Sequence, residues 1–260
     1  MARWDELVNI HVRSKFYDLD GFRAGRCTLC EIERNDLLPI VGKRILHLQC
    51  HFGADSLSLS RYGAIVTGVD FSPKAIAEAR KLKKQTGIEA EFFCSDVYDI
   101  PSTFFNSFDI VFCSYGALIW LHDINKWSEI VANCLVPGGY MYVVDEHPLA
   151  LTLTGKGNTN SLKFTYPYLT KASISYSPTG TYADRSAKIE NDRVFLWVHS
   201  ISSIINSAIA SGMEINYLKE YDYSVNEMFP EMEIDSTGNW RLKGSQSVPL
   251  MLSFKATKKR

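Results

Sequence analysis

The residues with the chemistry to form a site fall into two groups. The first is the segment HLQCHFGAD, residues 47–55, together with Asp70 at the end of VTGVD and Asp96 in CSDVYD. A strand that ends in a glycine-bearing turn and enters a helix offers backbone N–H groups and the helix N-terminus to a polar ligand. An acid that closes the next strand can accept hydrogen bonds from both hydroxyls of a ribose. The second group is His122, Glu146, His147 and His199. Carboxylates and imidazoles are the usual groups for taking a proton from a nucleophile. Cys27 and Cys30 are the only closely paired cysteines, and neither a second pair nor suitably spaced histidines accompany them, so no metal site is expected.

Positioning these groups requires a scaffold, and the hydrophobic pattern supplies one. Trp4, Leu7, Val8, His11 and Val12 share a helix face, which predicts an N-terminal amphipathic helix from residue 3 to about 18, with a second helical stretch over 25 to 37. RILHLQ reads as a buried strand. A helix over 55–62 closed by Gly63 follows, then the strand AIVTGVD, then a helix opened by Ser72 and Pro73 and closed by Gly87. AEFFC, FDIVFCS and GGYMYVVD are further strands, with a helix bearing Trp127, Ile130, Val131, Cys134 and Leu135 between the last two. Parallel strands joined by helices satisfy this alternation, so the first 147 residues or so predict a doubly wound α/β sheet. The glycine turn, Asp70, Asp96 and Glu146 then lie at the carboxyl edge, where such sheets bind ligands.

Beyond Pro148 the composition changes. Residues 151–198 are rich in Thr, Ser, Gly and Tyr, and KASISYS and RVFLWVHS predict an inserted antiparallel pair. Ser200 caps a helix that ends at Gly212, and MEINYLKEYDYS and VPLMLSFKATKK read as two final strands flanking a polar loop, 229–247.

Composition narrows the function classes. The 260 residues carry 28 Lys+Arg against 29 Asp+Glu, a net charge of −1, so nothing favours nucleic acid or an anionic membrane; only the terminal TKKR is locally basic. No apolar run could span a bilayer, and MARWDELVNIH lacks the apolar core of a signal peptide. Six scattered cysteines suit a reducing compartment, so a cytoplasmic protein with a small-molecule substrate is expected. The sequence carries no signal for an oligomeric state.

The dinucleotide fingerprint needs three glycines for close approach of a pyrophosphate, and this turn has only Gly53. A nucleoside with a zwitterionic tail needs fewer, and S-adenosylmethionine is such a ligand. The motifs ILHLQCHFGAD, VTGVDFSPKAIAEAR, CSDVYDIP, FDIVFCSYGALIWLHD and LVPGGYMYVVDEHP resemble, in order and spacing, those of the class I S-adenosylmethionine-dependent methyltransferases. The likeness runs over most of residues 42–147 and is similar to a bacterial branch with HLQC at the turn.

The resemblance implies a Rossmann-like, mostly parallel seven-stranded sheet with an antiparallel last strand, formed by one domain spanning 1–260. Within it, 1–40 would be an N-terminal helical lid, 42–147 the cofactor-binding core, 151–198 the substrate wall and 200–260 the closing helix and strands. The family turn runs acid, any, Gly, any, Gly, any, Gly; here His47, Gln49 and His51 replace the acid and the first two glycines. Carried over by position, Gln49, Cys50, His51 and Gly53 would approach the methionine end and Asp70 the ribose. Phe71 would flank the adenine, Asp96 and Val97 would meet its edge, and Ser114 and Tyr115 would face the acceptor. The product would be S-adenosylhomocysteine. Plainer roles stand beside these: Asp55 as a helix cap, His47 as a core histidine, Asp96 as a turn residue and Asp123 as a cap. A nucleotide-dependent oxidoreductase and a nucleoside-binding module without catalysis share the architecture.

Overall fold

The computed structural model describes residues 1–155, 162–244 and 247–259; the stretches 156–161 of the insertion and 245–246 of the polar loop, and the terminal Arg260, lie outside the described residues. The main sheet is built from β1 (Arg44–Leu48), β2 (Ile65–Asp70), β3 (Glu91–Cys94), β4 (Phe108–Ser114), β5 (Leu135–Glu146), β6 (Met213–Tyr221) and β7 (Met251–Lys258). Their order is β3-β2-β1-β4-β5-β7-β6. β7 runs antiparallel to both neighbours, while β1 to β5 pair in parallel. The chain order reverses between β1 and β4, so their carboxyl ends open the crevice in which doubly wound sheets hold ligands.

Burial explains why these segments are strands. Ile45, Leu46 and Leu48 are all fully enclosed, as expected for a central strand covered on both faces. On one face, α6 (Ile124–Cys134) and α7 (Ile201–Ala210) pack Trp127, Val131, Ile204 and Ala208 against Val111, Val143 and Phe254. On the other, α4 (Ala54–Arg61) and α5 (Pro73–Thr86), with the shorter α2 (Leu19–Arg23) and α3 (Glu31–Leu37), cover Ile45, Val66 and Phe112.

The caps read from sequence are present. Ser72 accepts from the Ala75 amide, Asp123 from those of Asn125 and Lys126, and Ser200 from that of Ser203. α4 differs. Its cap is Gly53, in the left-handed region, and Asp55 falls inside the helix and is free for another task.

The N-terminal region is more broken than its periodicity predicts. α1 (Ala2–His11) ends at His11, whose carbonyl accepts from Ser14 Oγ at 2.7 Å. Asp18, at φ 43°, then turns the chain into α2 and caps it through the Gly21 amide. The predicted helix over 25–37 forms only from Glu31, leaving Cys27 and Cys30 ahead of it as free thiols. The predicted insertion pair forms as Ile174–Tyr176 against Val194–Leu196, and a second short pair joins Leu153–Thr154 to Lys163–Phe164. The polar loop differs too: it contains strands Met232–Ile234 and Trp240–Leu242, which complete a three-stranded sheet with Tyr223–Ser224. Among the described residues no helix is long and apolar enough to cross a membrane.

Gly53 has no latitude. Its φ is 74°, and a Cβ there would lie 2.5 Å from Phe92 Cε1 and 3.1 Å from Ala79 Cβ. Gly53→Ala combines left-handed strain with overpacking and is expected to cost about 2 kcal/mol or more. Urea unfolding should show a lower midpoint at unchanged slope; a wild-type midpoint would mean that Phe92 yields freely.

Candidate active site

The turn after β1 reproduces a glycine-turn backbone without most of its glycines. Gln49, His51 and Gly53 have φ values of 55°, 51° and 74°, so all three alternate positions are left-handed. For Gln and His this conformation costs of order 1 kcal/mol each and persists only where surroundings impose it. Those surroundings are visible. Gln49 Nε2 donates to the Ala117 carbonyl at 2.9 Å, and the His51 amide donates to Asp70 Oδ2 at 2.9 Å. The Cys50 amide donates to the Val69 carbonyl, tying the turn to β2.

Asp70 is 9% exposed. Its other oxygen, Oδ1, accepts from the Ser72 amide at 2.9 Å. Burial pushes its pKa up, and the two amides pull it back. Each oxygen retains a lone pair, which is what a ribose diol would need. Phe71 lies beside it, half-buried. Asp96 is exposed and accepts from the Tyr98 amide at 2.9 Å, so it caps the short turn that holds Val97.

The loop after β4 is organised by a residue that motif reading passed over. Asp145, 2% exposed, accepts from four amides: those of Ala117 at 3.1 Å, Leu118 at 2.8 Å, Glu146 at 2.7 Å, and Gly116. Burial raises its pKa while these bonds oppose the shift. The signal that could have found it is an acid interrupting the apolar run YMYVV. Ser114 Oγ donates to Asp55 Oδ2 at 3.4 Å, and Tyr115, at φ 38°, donates from Oη to Glu33.

The four candidate proton acceptors divide. Glu146 is half-buried at the end of β5, and its carboxylate has no hydrogen-bond partner among the described residues. Burial, then the neighbouring Asp145 charge, raise it to about 7. His199 Nε2 donates to the Leu121 carbonyl at 2.7 Å, and burial lowers its pKa. Glu146 and His199 share a narrow crevice, about 10 Å³, with Ile119, Leu151 and Trp197. His147 instead sits 2.9 Å from Glu220 and accepts from the Leu149 amide. His122 is exposed against the Tyr98 ring. His47 is a core histidine, 2.8 Å from Ser56 Oγ and lowered to about 3 by burial.

The N-terminal segment roofs this edge. Asp5 accepts from Ser72 Oγ at 2.6 Å, His11 Nδ1 lies 2.9 Å from His51 Nε2, and Trp4 packs edge-on to Trp120. Tyr17 Oη meets Tyr182 Oη of the insertion at 2.5 Å. Glu6 takes the amides of Glu190 and Asn191.

The left-handed turn and the diol-ready acid are the features a nucleoside with an amino-acid tail would use. Asp70→Ala should weaken S-adenosylhomocysteine tenfold or more, about 1.4 kcal/mol, in equilibrium dialysis. Unchanged affinity would remove Asp70 from the ribose.

Comparison with known proteins agrees with the geometry. Residues 45–139 match the family model described as a methyltransferase domain. A ubiquinone biosynthesis O-methyltransferase from Xanthomonas euvesicatoria is 26% identical over 189 residues, covering 70% of this chain and 76% of its own. An S-adenosylmethionine dependent methyltransferase from Mesorhizobium loti superposes with a TM-score of 0.63 at 22% identity, covering 91% of this chain and all of that one. The [4+2]-cyclase SpnF shares the fold as well, with a TM-score of 0.57 at 16% identity over 88% of this chain and 79% of that one. Architecture alone therefore does not fix the reaction, and the sequence match carries the assignment. Together with the sheet order and the ordered motifs, it identifies residues 45–139 as a methyltransferase domain, carried on the fold of the solved S-adenosylmethionine-dependent methyltransferases.

Proposed function

We propose that the enzyme methylates a hydroxyl oxygen of a small, largely apolar acceptor seated between the glycine turn and the insertion, with Glu146 receiving the acceptor's proton. The observation that carries this reading is the Glu146 carboxylate, half-buried, without a hydrogen-bond partner among the described residues, and raised to about 7. A group with that pKa is both ionised in useful amount and basic near neutrality. The name of the Xanthomonas relative, an O-methyltransferase of ubiquinone biosynthesis, supports oxygen as the atom attacked.

S-adenosylmethionine, when bound, supplies a methyl group on a sulfonium that leaves as the neutral thioether of S-adenosylhomocysteine. The acceptor oxygen forms the new C–O bond in line with the breaking S–C bond, and its proton passes to Glu146. The remaining residues position and enclose. Asp70 holds the ribose, Gln49 to Gly53 shape the seat of the amino-acid end, and Ser114 and Tyr115 border the methyl. Ile119, Leu151 and Trp197 give the acceptor an apolar wall, with His199 at its rim. Trp4, Tyr17 and Tyr182 exclude water, which favours a reaction in which charge is neutralised. Alignment of the two reactants can supply about 7–11 kcal/mol of the barrier. The domain reads as one unit over 1–260, with the insertion choosing the substrate, and a cytoplasmic site of action suits its free thiols.

The test is transfer of labelled methyl from S-adenosylmethionine to a panel of phenols, alcohols, amines and thiols. Hydroxyl acceptors should dominate. With the best of them kcat should rise with pH up to about 7 and then level, because the base must be ionised. Glu146→Gln should lower kcat by about 10²–10⁴ and abolish that limb. Turnover confined to amines or thiols, or a variant that keeps the limb, would refute the assignment.

A further inference from the structure

One imidazole of the crevice has its hydrogen placed by the backbone. His199 stands where the insertion returns to the core, and its Nε2 lies 2.7 Å from the Leu121 carbonyl oxygen. A carbonyl oxygen only accepts, so Nε2 is the nitrogen that carries the ring hydrogen. Burial lowers the pKa of this half-buried ring, which favours the neutral form and leaves Nδ1 a bare lone pair. Nδ1 has no hydrogen-bond partner among the described residues. The ring is also fastened beside the base. The Leu118 amide donates to Asp145 at 2.8 Å, the Trp197 amide to the Ile119 carbonyl at 2.9 Å and His199 to Leu121, so residues 118–121 tie the end of the insertion to the end of β5. Glu146 follows Asp145 directly. Glu146 and His199 line one crevice of about 10 Å³, room for roughly a single water-sized group.

An ionised Glu146 and the Nδ1 of His199 are both acceptors. Two unpaired acceptors beside so narrow a space call for two hydrogens, and a lone hydroxyl brings one. We infer that the methyl acceptor carries a second O–H or N–H donor next to the hydroxyl that reacts, and that His199 receives it through Nδ1 while Glu146 takes the proton of the first. The inference rests on the proposed function, because it describes the neighbour of the oxygen assigned there. His199 moves no proton in this scheme. It selects: an acceptor without the second donor leaves Nδ1 desolvated and unpaired, and a site built to pair a polar group rejects analogues that lack it.

The same pairing limits how many methyl groups a dihydroxy acceptor receives. One turnover forms a C–O bond at the first oxygen, sends its proton to Glu146 and yields a hydroxy-methoxy product. For a second turnover the remaining hydroxyl would have to sit at Glu146, which brings the ether oxygen to His199. An ether oxygen has no hydrogen to give, so two lone pairs would meet. Transfer therefore stops at one methyl.

The experiment is labelled-methyl transfer by the full chain to 1,2-dihydroxybenzene, 2-aminophenol, phenol and 2-methoxyphenol, with products resolved by mass spectrometry. For wild type, kcat/KM with each of the first two should exceed that with each of the last two by tenfold or more. The dihydroxy compound should give the monomethyl ether alone, even with excess S-adenosylmethionine. His199→Leu should bring all four acceptors within about threefold and let the dimethyl ether accumulate. His199→Gln keeps a side-chain N–H to donate to Leu121, so it guards against a variant that merely loosens the loop, and it should lose the selectivity as well. If His199 only holds the loop, the leucine variant slows every acceptor equally, the glutamine variant restores them, and both the ratio and the single methylation persist; that result would overturn the inference. Equal turnover of phenol and 1,2-dihydroxybenzene by wild type would also overturn it, since one hydroxyl would then suffice. Transfer to amines or thiols with none to any hydroxyl would instead remove the proposed function, and this inference with it.

Discussion

The site depends on one buried carboxylate. Asp145 gathers the amides of Gly116, Ala117 and Leu118 and thereby fixes the path of the chain after β4. That path puts the Ala117 carbonyl where Gln49 can donate to it, and the bond helps to hold Gln49 in a backbone conformation it would otherwise avoid. Hydrogen bonds to an ionised acceptor are stronger than neutral ones, and burial strengthens them further. Two loops from different strands are thus locked together through a side chain on a third. Asp70 makes the matching connection on the other side, from the turn to the start of α5.

Electrostatics gives the same edge a distinct character. Glu33, Asp55, Asp70, Asp145 and Glu146 are all shifted upward from their ordinary values, in each case chiefly by burial. Salt bridges of the described residues lie mostly at the exposed surface. A chain of net charge −1 therefore carries a local excess of acid at the carboxyl ends of its strands. Low-dielectric walls focus such a field, and its natural complement is a cationic ligand.

Much of this arrangement was legible in the residues. The alternation of apolar strands with capped helices determines a doubly wound sheet, and Ser72, Asp123 and Ser200 mark helix starts because capping is a local interaction. Asp70 was legible for the same reason: its meaning follows from its place at the end of a strand. What stayed hidden depends on partners far along the chain. Asp145 looks like a strand-end acid until the loop at 116–118 is folded onto it. The choice between His147 and Glu146 rests on strand alternation, which turns one side chain toward Glu220 and leaves the other in the crevice. The break between α1 and α2 follows from Ser14 and Asp18 intercepting backbone groups, which a period of apolar residues does not report.

The turn after β1 also has a kinetic meaning. Glycine-rich loops are pliable because glycine has many conformations to lose on folding, and such loops can flex to admit a ligand. Here Gln49 and His51 are pinned by Ala117 and Asp70, so the floor of the site is rigid before any ligand arrives. A rigid floor cannot serve as the door. The contacts that close this edge from above are instead those of Asp5 with Ser72, His11 with His51 and Tyr17 with Tyr182. Under the proposed function, opening of that roof becomes a step of turnover governed by residues remote from the transferred methyl.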